Sequence, residues 1–294
     1  VSEPKHLFND PNIDLIVIPT PNDTHFPLAK AALEAGKHVI VDKPFTVTLS
    51  QARELDALAK GLGRLLSVFH NRRWDSDFLT VKTLLSEGTL GEILFFESHF
   101  DRFRPQVRHR WREQAGPGSG IWYDLAPHLL DQAVNLFGLP VSMTVDLAQL
   151  RPGAQTTDYF HAVLSYPQRR IVLHGTMVAA AESARYIIHG TRGSYVKFGL
   201  DPQEDRLKNG ERLPQEDWGY DMRDGVVTRV EGEELVEETL LTMPGNYPAY
   251  YAAIRDALNG TGENPVPASQ AIQIMELIEL GIESAKHRAT LCLA

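Results

Sequence analysis

The first part of the chain alternates short, unbroken apolar runs with longer segments whose apolar side chains recur at helical spacing. DLIVI (14–18), KHVIVD (37–42) and LLSVF (65–69) are too short and too uniformly apolar for exposed helices, and predict buried strands. Between them, HFPLAKAALEA (25–35) predicts a helix stopped by Gly36. LSQARELDALAK (49–60) predicts another, opened by Thr48 and Gln51 at capping-box spacing and ended near Gly61 and Gly63. Strand–helix–strand–helix–strand with short loops means a parallel sheet with right-handed crossovers. Ligands of such sheets sit outside the carboxyl ends of the strands. All three strands end there in polar or charged groups: Thr20-Pro21-Asn22, Asp42-Lys43-Pro44 and Asn71-Arg72-Arg73.

After residue 74 the rhythm changes. SDFLTVKTLLSEG predicts an amphipathic helix and EILFFESHFDRF a strand, followed by the turn GPGSG and the helix YDLAPHLLDQAVNLFG. From about residue 141 to 242 strands follow one another, several with period-two alternation, such as YFHAVLSYP and IVLHGTMVA. YPAYYAAIRDALNG and the segment 268–287 close the chain as helices. The expected architecture is α/β plus α+β. A Rossmann-type parallel sheet occupies residues 1–74, and residues 75–294 form a domain with a large open, mostly antiparallel sheet flanked by helices on one face.

Composition narrows the function. At 294 residues, with 43% hydrophobic and 23% charged side chains, the chain is an ordinary globular protein. A net charge of −9 without any Lys/Arg run argues against a nucleic-acid partner. The single cysteine, Cys292, excludes a disulfide framework or thiolate zinc site within one chain. No apolar run is long enough to span a bilayer, so the expected location is the cytoplasm, with a small molecule as the substrate.

Three motifs in order, the TPNxxH segment (Thr20 to His25), the DKP tripeptide (Asp42 to Pro44) and D-x-x-x-H-x-x-D (Asp124, His128, Asp131), resemble the Gfo/Idh/MocA family of nicotinamide-dependent oxidoreductases. The resemblance covers essentially the whole chain and implies a Rossmann domain followed by an α+β domain. One departure stands out: that family's Rossmann domain starts with a strand, a glycine-rich turn and a helix. The nearest match here, Gly116-Pro-Gly118-Ser-Gly120, follows no buried strand and has Ile121 where the third glycine belongs. It is also far along the chain from the other nucleotide-facing segments. The Rossmann half is therefore expected to be truncated by on the order of 50–60 residues.

Hydride transfer needs a bound dinucleotide and a proton donor or acceptor on the substrate oxygen. In the TPN segment, Pro19 and Pro21 fix the backbone while Thr20 and Asn22 offer a hydroxyl and an amide to a ribose or phosphate; an ordinary capped strand-to-helix turn is the bland alternative. The resemblance implies cofactor (NAD or NADP) contacts from Pro19, Thr20, Pro21, Asn22, His25, Asp42, Lys43, Pro44, Asn71, Arg73, Trp111 and Arg112. Lys43 then faces substrate and nicotinamide, where its charge polarises a carbonyl; Asp42 stands where the family usually has Glu.

Asp124 and His128, four apart on an expected helix, share one face, so the carboxylate is placed to select the imidazole tautomer. His128 suits the acid/base role and Asp124 an orienting or substrate-binding role, against the alternative of a solvated ion pair. A metal site of Asp124, His128 and Asp131 is the weaker reading and no metal is expected. His161 and His174, on strands, fit packing or surface positions. Arg102, Arg104 and Trp122 line a substrate pocket or, equally, face solvent or a subunit interface.

The leading functional expectation is an NAD(P)-dependent oxidoreductase acting on a sugar, polyol or related hydroxy compound. A ligand-sensing protein of the same fold and a nicotinamide-dependent glycoside hydrolase are the alternatives. A homodimer or higher oligomer is expected through the open sheet, with Phe160, Ala162, Leu164, Val172 and Met177 on its free face.

Overall fold

The computed structural model describes residues 3–213 and 217–293. After a short helix α1 (Pro4–Phe8), strands β1 (Leu15–Ile18), β2 (His38–Asp42) and β3 (Leu66–Phe69) pair in parallel in the order β1-β2-β3. Helices α2 (Asn22–Glu34) and α3 (Leu49–Gly61) form the crossovers. Val39, Ile40 and Val41 of the central strand are fully buried, as a strand covered on both faces requires. β1 departs from that expectation: it lies at the sheet edge and Val17 is 44% exposed. The capping box of α3 is present, with the Gln51 amide donating to Thr48 Oγ1 at 3.3 Å and Thr48 N donating to Gln51 Oε1 at 3.2 Å.

The second half contains α4 (Ser76–Ser86), β4 (Ile93–His99), α5 (Ile121–Asp124), α6 (Ala126–Phe137), β5 (Ser142–Ala148), β6 (Tyr159–Ser165), β7 (Arg170–Thr176), β8 (Ala184–Gly190) and β9 (Gly193–Phe198). It continues with α7 (Gln203–Lys208), β10 (Gly225–Glu231), β11 (Glu234–Leu240), α8 (Pro248–Leu258), α9 (Ala268–His287) and β12 (Leu291–Cys292). The strands make one sheet in the order β11-β10-β9-β8-β4-β7-β6-β5-β12. β4 and β7 are parallel, and the other pairings are antiparallel.

One face of this sheet packs under α6 and α9. The phase of the alternation corrects the expected free face: Phe160, Ala162, Leu164 and Met177 are buried in the core, and of the five named residues only Val172 is half-buried rather than fully so. Period-two patterning says that alternate residues share a face, but not which face meets the helices. The opposite face carries Glu97, His99, Tyr159, His161, Val163 and His174 beside Val172, and cross-strand register aligns His161, His174 and His99 in one row. It is a mixed polar surface.

The closing helices return to the first sheet. Tyr250 OH donates to Ser67 Oγ on β3 at 2.8 Å, and Ser67 Oγ donates to Val266 O at 3.0 Å. Glu279 of α9 accepts from Leu49 N at the start of α3 at 2.7 Å. These contacts hold β3 and the start of α3 against the second half.

Candidate active site

A cleft of about 370 Å³ opens at that junction. The ends of β2 and β3 contribute Asp42, Lys43, Phe69, Asn71 and Arg72; the segment after β4 contributes Arg102, Arg104, Arg110 and Arg112. Asp124, Leu125 and His128 form the third wall, and Glu204 and Lys208 of α7 the rim.

Lys43 is placed by its neighbours. Asp42 Oδ1 accepts from Lys43 N at 2.8 Å, and the Lys43–Pro44 peptide is cis. The ammonium donates to the backbone oxygen of Asp124 and lies 3.2 Å from Asp124 Oδ1. Arg112 and Arg102 approach the same carboxylate at 3.4 and 3.6 Å. Burial alone would raise the Asp124 carboxyl, but Lys43, Arg102 and Arg112 outweigh it and hold it well below the usual carboxylate range. Asp124 is therefore a permanent anion among three cations.

His128 is 5% exposed and stacks near Phe100, with ring centroids 6.2 Å apart. Burial first, then the positive charge of Lys43 and Arg72, pushes its pKa well below the ordinary histidine value. The ring is neutral at pH 7, with Nδ1 buried and without a partner. The expected Asp124–His128 pairing on one helical face is corrected here. The helix breaks at Leu125 (φ −113°, ψ −38°), so Asp124 ends α5 and His128 lies in the first turn of α6. Pro127 is the cause: it has no N–H to continue α5, and its ring disfavours the helical turn before it. Asp124 pairs with cations instead of setting the imidazole tautomer.

The other expected site residues divide. Asn71, Arg102, Arg104 and Arg112 do line the cleft. Arg73 does not: a single 3-10 turn (Asn71–Trp74) sends its guanidinium to Asp131 at 2.6 and 2.8 Å and to Gln270 at 2.7 Å, beside α9. Arg72 takes the place expected for it, paired with Asp75 at 2.9 Å and with Glu204. Trp122 is corrected outright. It is 1% exposed, packs edge-on against Phe160 and donates from Nε1 to Ile278 O at 3.1 Å, so it belongs to the core. Trp111 stands outside the cleft lining, stacked against the Arg112 guanidinium at 4.3 Å.

The TPN segment is the N-cap and first turn of α2, not a free loop. Pro19 and Pro21 are exposed and Thr20 is half-buried, its hydroxyl 2.6 Å from that of Thr24. His25 is fully buried, with its ring nitrogens 2.9 Å from Pro44 O and Thr20 O. It ties the ends of β1 and β2 together, an architectural role in place of the expected direct cofactor contact. Asn22 Nδ2 donates to Gly118 O at 2.8 Å, so the GPGSG turn, distant in sequence, is docked on this segment. A side chain at Gly118 (φ +70°) would press on Asn22 and Val47 at 3.2 Å, which explains glycine there.

Phe69, Arg110, Leu125, Glu204 and Lys208 line the cleft without having been singled out from sequence, and Arg72 lines it although the sequence marks it only as part of a polar strand end. Glu204 and Lys208 sit on a six-residue helix far along the chain and carry no local motif. As for metal ligation, Asp131 is committed to Arg73. Among the described residues, His99, Asp101 and His174 are the group whose ligand atoms converge, within 4.8 Å of one another, outside the cleft.

The residues present suit a nicotinamide: the cleft lies at the carboxyl ends of parallel strands, and its lining includes both a half-buried lysine and a buried imidazole. Comparison with known proteins agrees. Residues 1–70 match the oxidoreductase family's NAD-binding Rossmann fold, and residues 82–293 match its C-terminal alpha/beta domain. The whole chain is 90% identical to 85% of the oxidoreductase YdgJ of Escherichia coli. It is 39% identical to scyllo-inositol 2-dehydrogenase (NADP(+)) IolW of Bacillus subtilis over 295 residues, covering all of this chain and 82% of that one. Among solved structures, the oxidoreductase YPO2259 of Yersinia pestis superposes with a TM-score of 0.96 at 69% identity, over 100% of this chain and 83% of that one. Both halves of the molecule and the cleft between them thus place this chain in the Gfo/Idh/MocA family of NAD(P)-dependent oxidoreductases.

Proposed function

We propose that the protein transfers a hydride between NAD or NADP and a CH–OH carbon of a sugar, polyol or related hydroxy compound. The convergence of Lys43, Asp124 and His128 in one cleft carries this reading. The relative named as a scyllo-inositol 2-dehydrogenase supports the substrate class. When bound, the nicotinamide accepts or donates the hydride. The neutral His128 takes the proton of the substrate hydroxyl, or returns it in the reverse direction. Lys43 stabilises the alkoxide that develops on the same oxygen, and Asp124 holds Lys43 in position from the other side. Asp42 and Asn71, which line the cleft from neighbouring strand ends, would hold the cofactor by polar contacts.

The experiment is a scan of sugars and polyols with NAD and with NADP, following absorbance of the reduced nicotinamide. Turnover should occur with at least one pair and fall in Lys43→Met and His128→Ala. Release of an unoxidised sugar from glycosides, without net reduction, would favour the glycoside-cleavage reading.

The same reading extends to a cytoplasmic homo-oligomer associating through the outer face of the large sheet. Val163 and Val172, cross-strand partners on that face, are half-buried and flanked by Tyr159 and the histidine row. Light scattering at micromolar concentration should report a mass above that of one chain.

A further inference from the structure

Resting on the proposed oxidoreductase activity, we infer that the substrate is an anion: a small polyhydroxy compound carrying a carboxylate or a phosphate, held by Arg102 and Arg104. The cleft is lined by seven Lys or Arg side chains against three carboxylates, and Glu113 behind it adds a fourth. The imbalance has an address. Arg110 is answered by Glu113 at 2.6 Å. Arg102 meets only Asp124, at 3.6 Å, and that carboxylate is already shared with Lys43 and Arg112. Arg104 has no side-chain hydrogen bond or ion pair among the described residues, although its backbone is fixed.

The two arginines are presented as a pair. Arg102 N donates to Thr176 O at 2.9 Å and Arg104 N to Met177 O at 2.7 Å, so the segment is extended along the end of β7. Alternation puts residues 102 and 104 on one side, while Phe103 between them is 58% exposed. The Arg102 guanidinium is further fixed over the Phe100 ring at 4.8 Å. Burial pushes the Arg102 pKa down to about 10, with Asp124 opposing and Arg104 adding to the shift; burial and then Arg110 and Arg108 lower Arg104.

Two half-buried guanidiniums without a dedicated anion are a poor arrangement unless a ligand supplies the charge. Planar forks match the paired oxygens of a carboxylate or phosphate, whereas hydroxyls alone leave the positive charges unanswered. Hydroxyls remain for Lys43 and His128 to process.

The test compares neutral parents with anionic derivatives under both cofactors: glucose against gluconate and glucose 6-phosphate, and scyllo-inositol against an inositol phosphate. The anionic member should have a kcat/KM higher by roughly ten- to a hundredfold, the worth of a charge-assisted contact. Arg104→Gln should bring that ratio close to one, chiefly through KM for the anion. Preference for gluconate identifies carboxylate as the anchor group, and preference for the phosphates identifies phosphate. Equal or better turnover of the neutral parents overturns the inference while leaving the oxidoreductase reading intact. A variant whose damage falls equally on all substrates and raises KM for the nucleotide also overturns it, by assigning Arg104 to the cofactor. If no compound is turned over, the activity reading fails, and calorimetry with gluconate and inorganic phosphate decides the anion site: binding weakened by Arg104→Gln sustains it, and no heat, or heat unaffected by the substitution, refutes it.

Discussion

Lys43, at the end of the second parallel strand, donates its ammonium to both the backbone and the carboxylate of Asp124, 81 residues later in the chain. That contact joins the two halves of the molecule at the candidate site. Because Asp124 also has Arg102 and Arg112, removing the lysine does not strand a buried carboxylate. Lys43→Met should therefore lower kcat by roughly 100-fold or more, the scale of losing a charge that stabilises a developing oxyanion. The circular dichroism spectrum should stay that of the wild type. Loss of secondary structure in the variant would make Lys43 a structural residue and refute this role.

His128 leads to a prediction about pH. Its pKa is pushed down by burial and nearby positive charge, so the ring is in its proton-accepting form throughout the neutral range. In the oxidative direction, activity depending on His128 should be on its plateau from pH 8 down to about 6.5 and decline only in more acidic solution. His128→Ala should lower kcat by about two orders of magnitude and abolish that acidic limb. A limb that survives unchanged in the variant belongs to another group.

Much of this site could be read from the chain, for identifiable reasons. Strand ends announce themselves because an apolar run must stop where backbone leaves the core, and Asp42, Lys43 and Asn71 at such ends all line the cleft. Direction is harder to read. Arg72 and Arg73 are neighbours of one type, and only the 3-10 geometry decides that Arg72 enters the cleft while Arg73 turns to Asp131. The arginine- and aromatic-rich segment ahead of the helix suggests Trp122 for the pocket, yet on a short helix residues two apart face roughly opposite sides, so Trp122 turns to the core while Asp124 turns to the cleft. Glu204 reaches the cleft through tertiary packing alone, as its ion pair with Arg72 shows.

Trp122 supplies a stability test of that correction. It fills the space between Phe160 and α9, and a Cβ added at Gly281 would lie 2.3 Å from its ring. Trp122→Ala should cost about 3–5 kcal/mol, as removal of a large core aromatic usually does. Gly281→Ala should destabilise by overpacking the same contact. Denaturant midpoints measure both. If Trp122→Ala unfolds at the wild-type midpoint but raises KM, the residue serves the pocket after all.

The pH dependence of stability should carry the mark of His70, whose ring is buried behind the cleft with both nitrogens unpartnered and Asp131 Oδ1 3.9 Å away. Burial lowers its pKa from 6.5 to about 4; Asp131 opposes the shift, and Arg73 and Lys43 reinforce it. A folded-state pKa below the unfolded value means that the unfolded chain binds the proton more readily. The stability associated with the neutral ring is thus fully present above about pH 6.5 and is lost as pH falls towards 4, at up to about 1.4 kcal/mol per unit. Other buried groups titrate over the same range, Asp75 with the opposite sign because its carboxyl is raised to about 8, so the informative quantity is a difference. Denaturation of wild type and His70→Leu should give curves whose separation is constant above pH 7. In more acidic solution the wild type should lose stability relative to the variant. A separation that does not change between pH 7 and 4.5 would show that His70 titrates alike in the folded and unfolded chains, despite its burial.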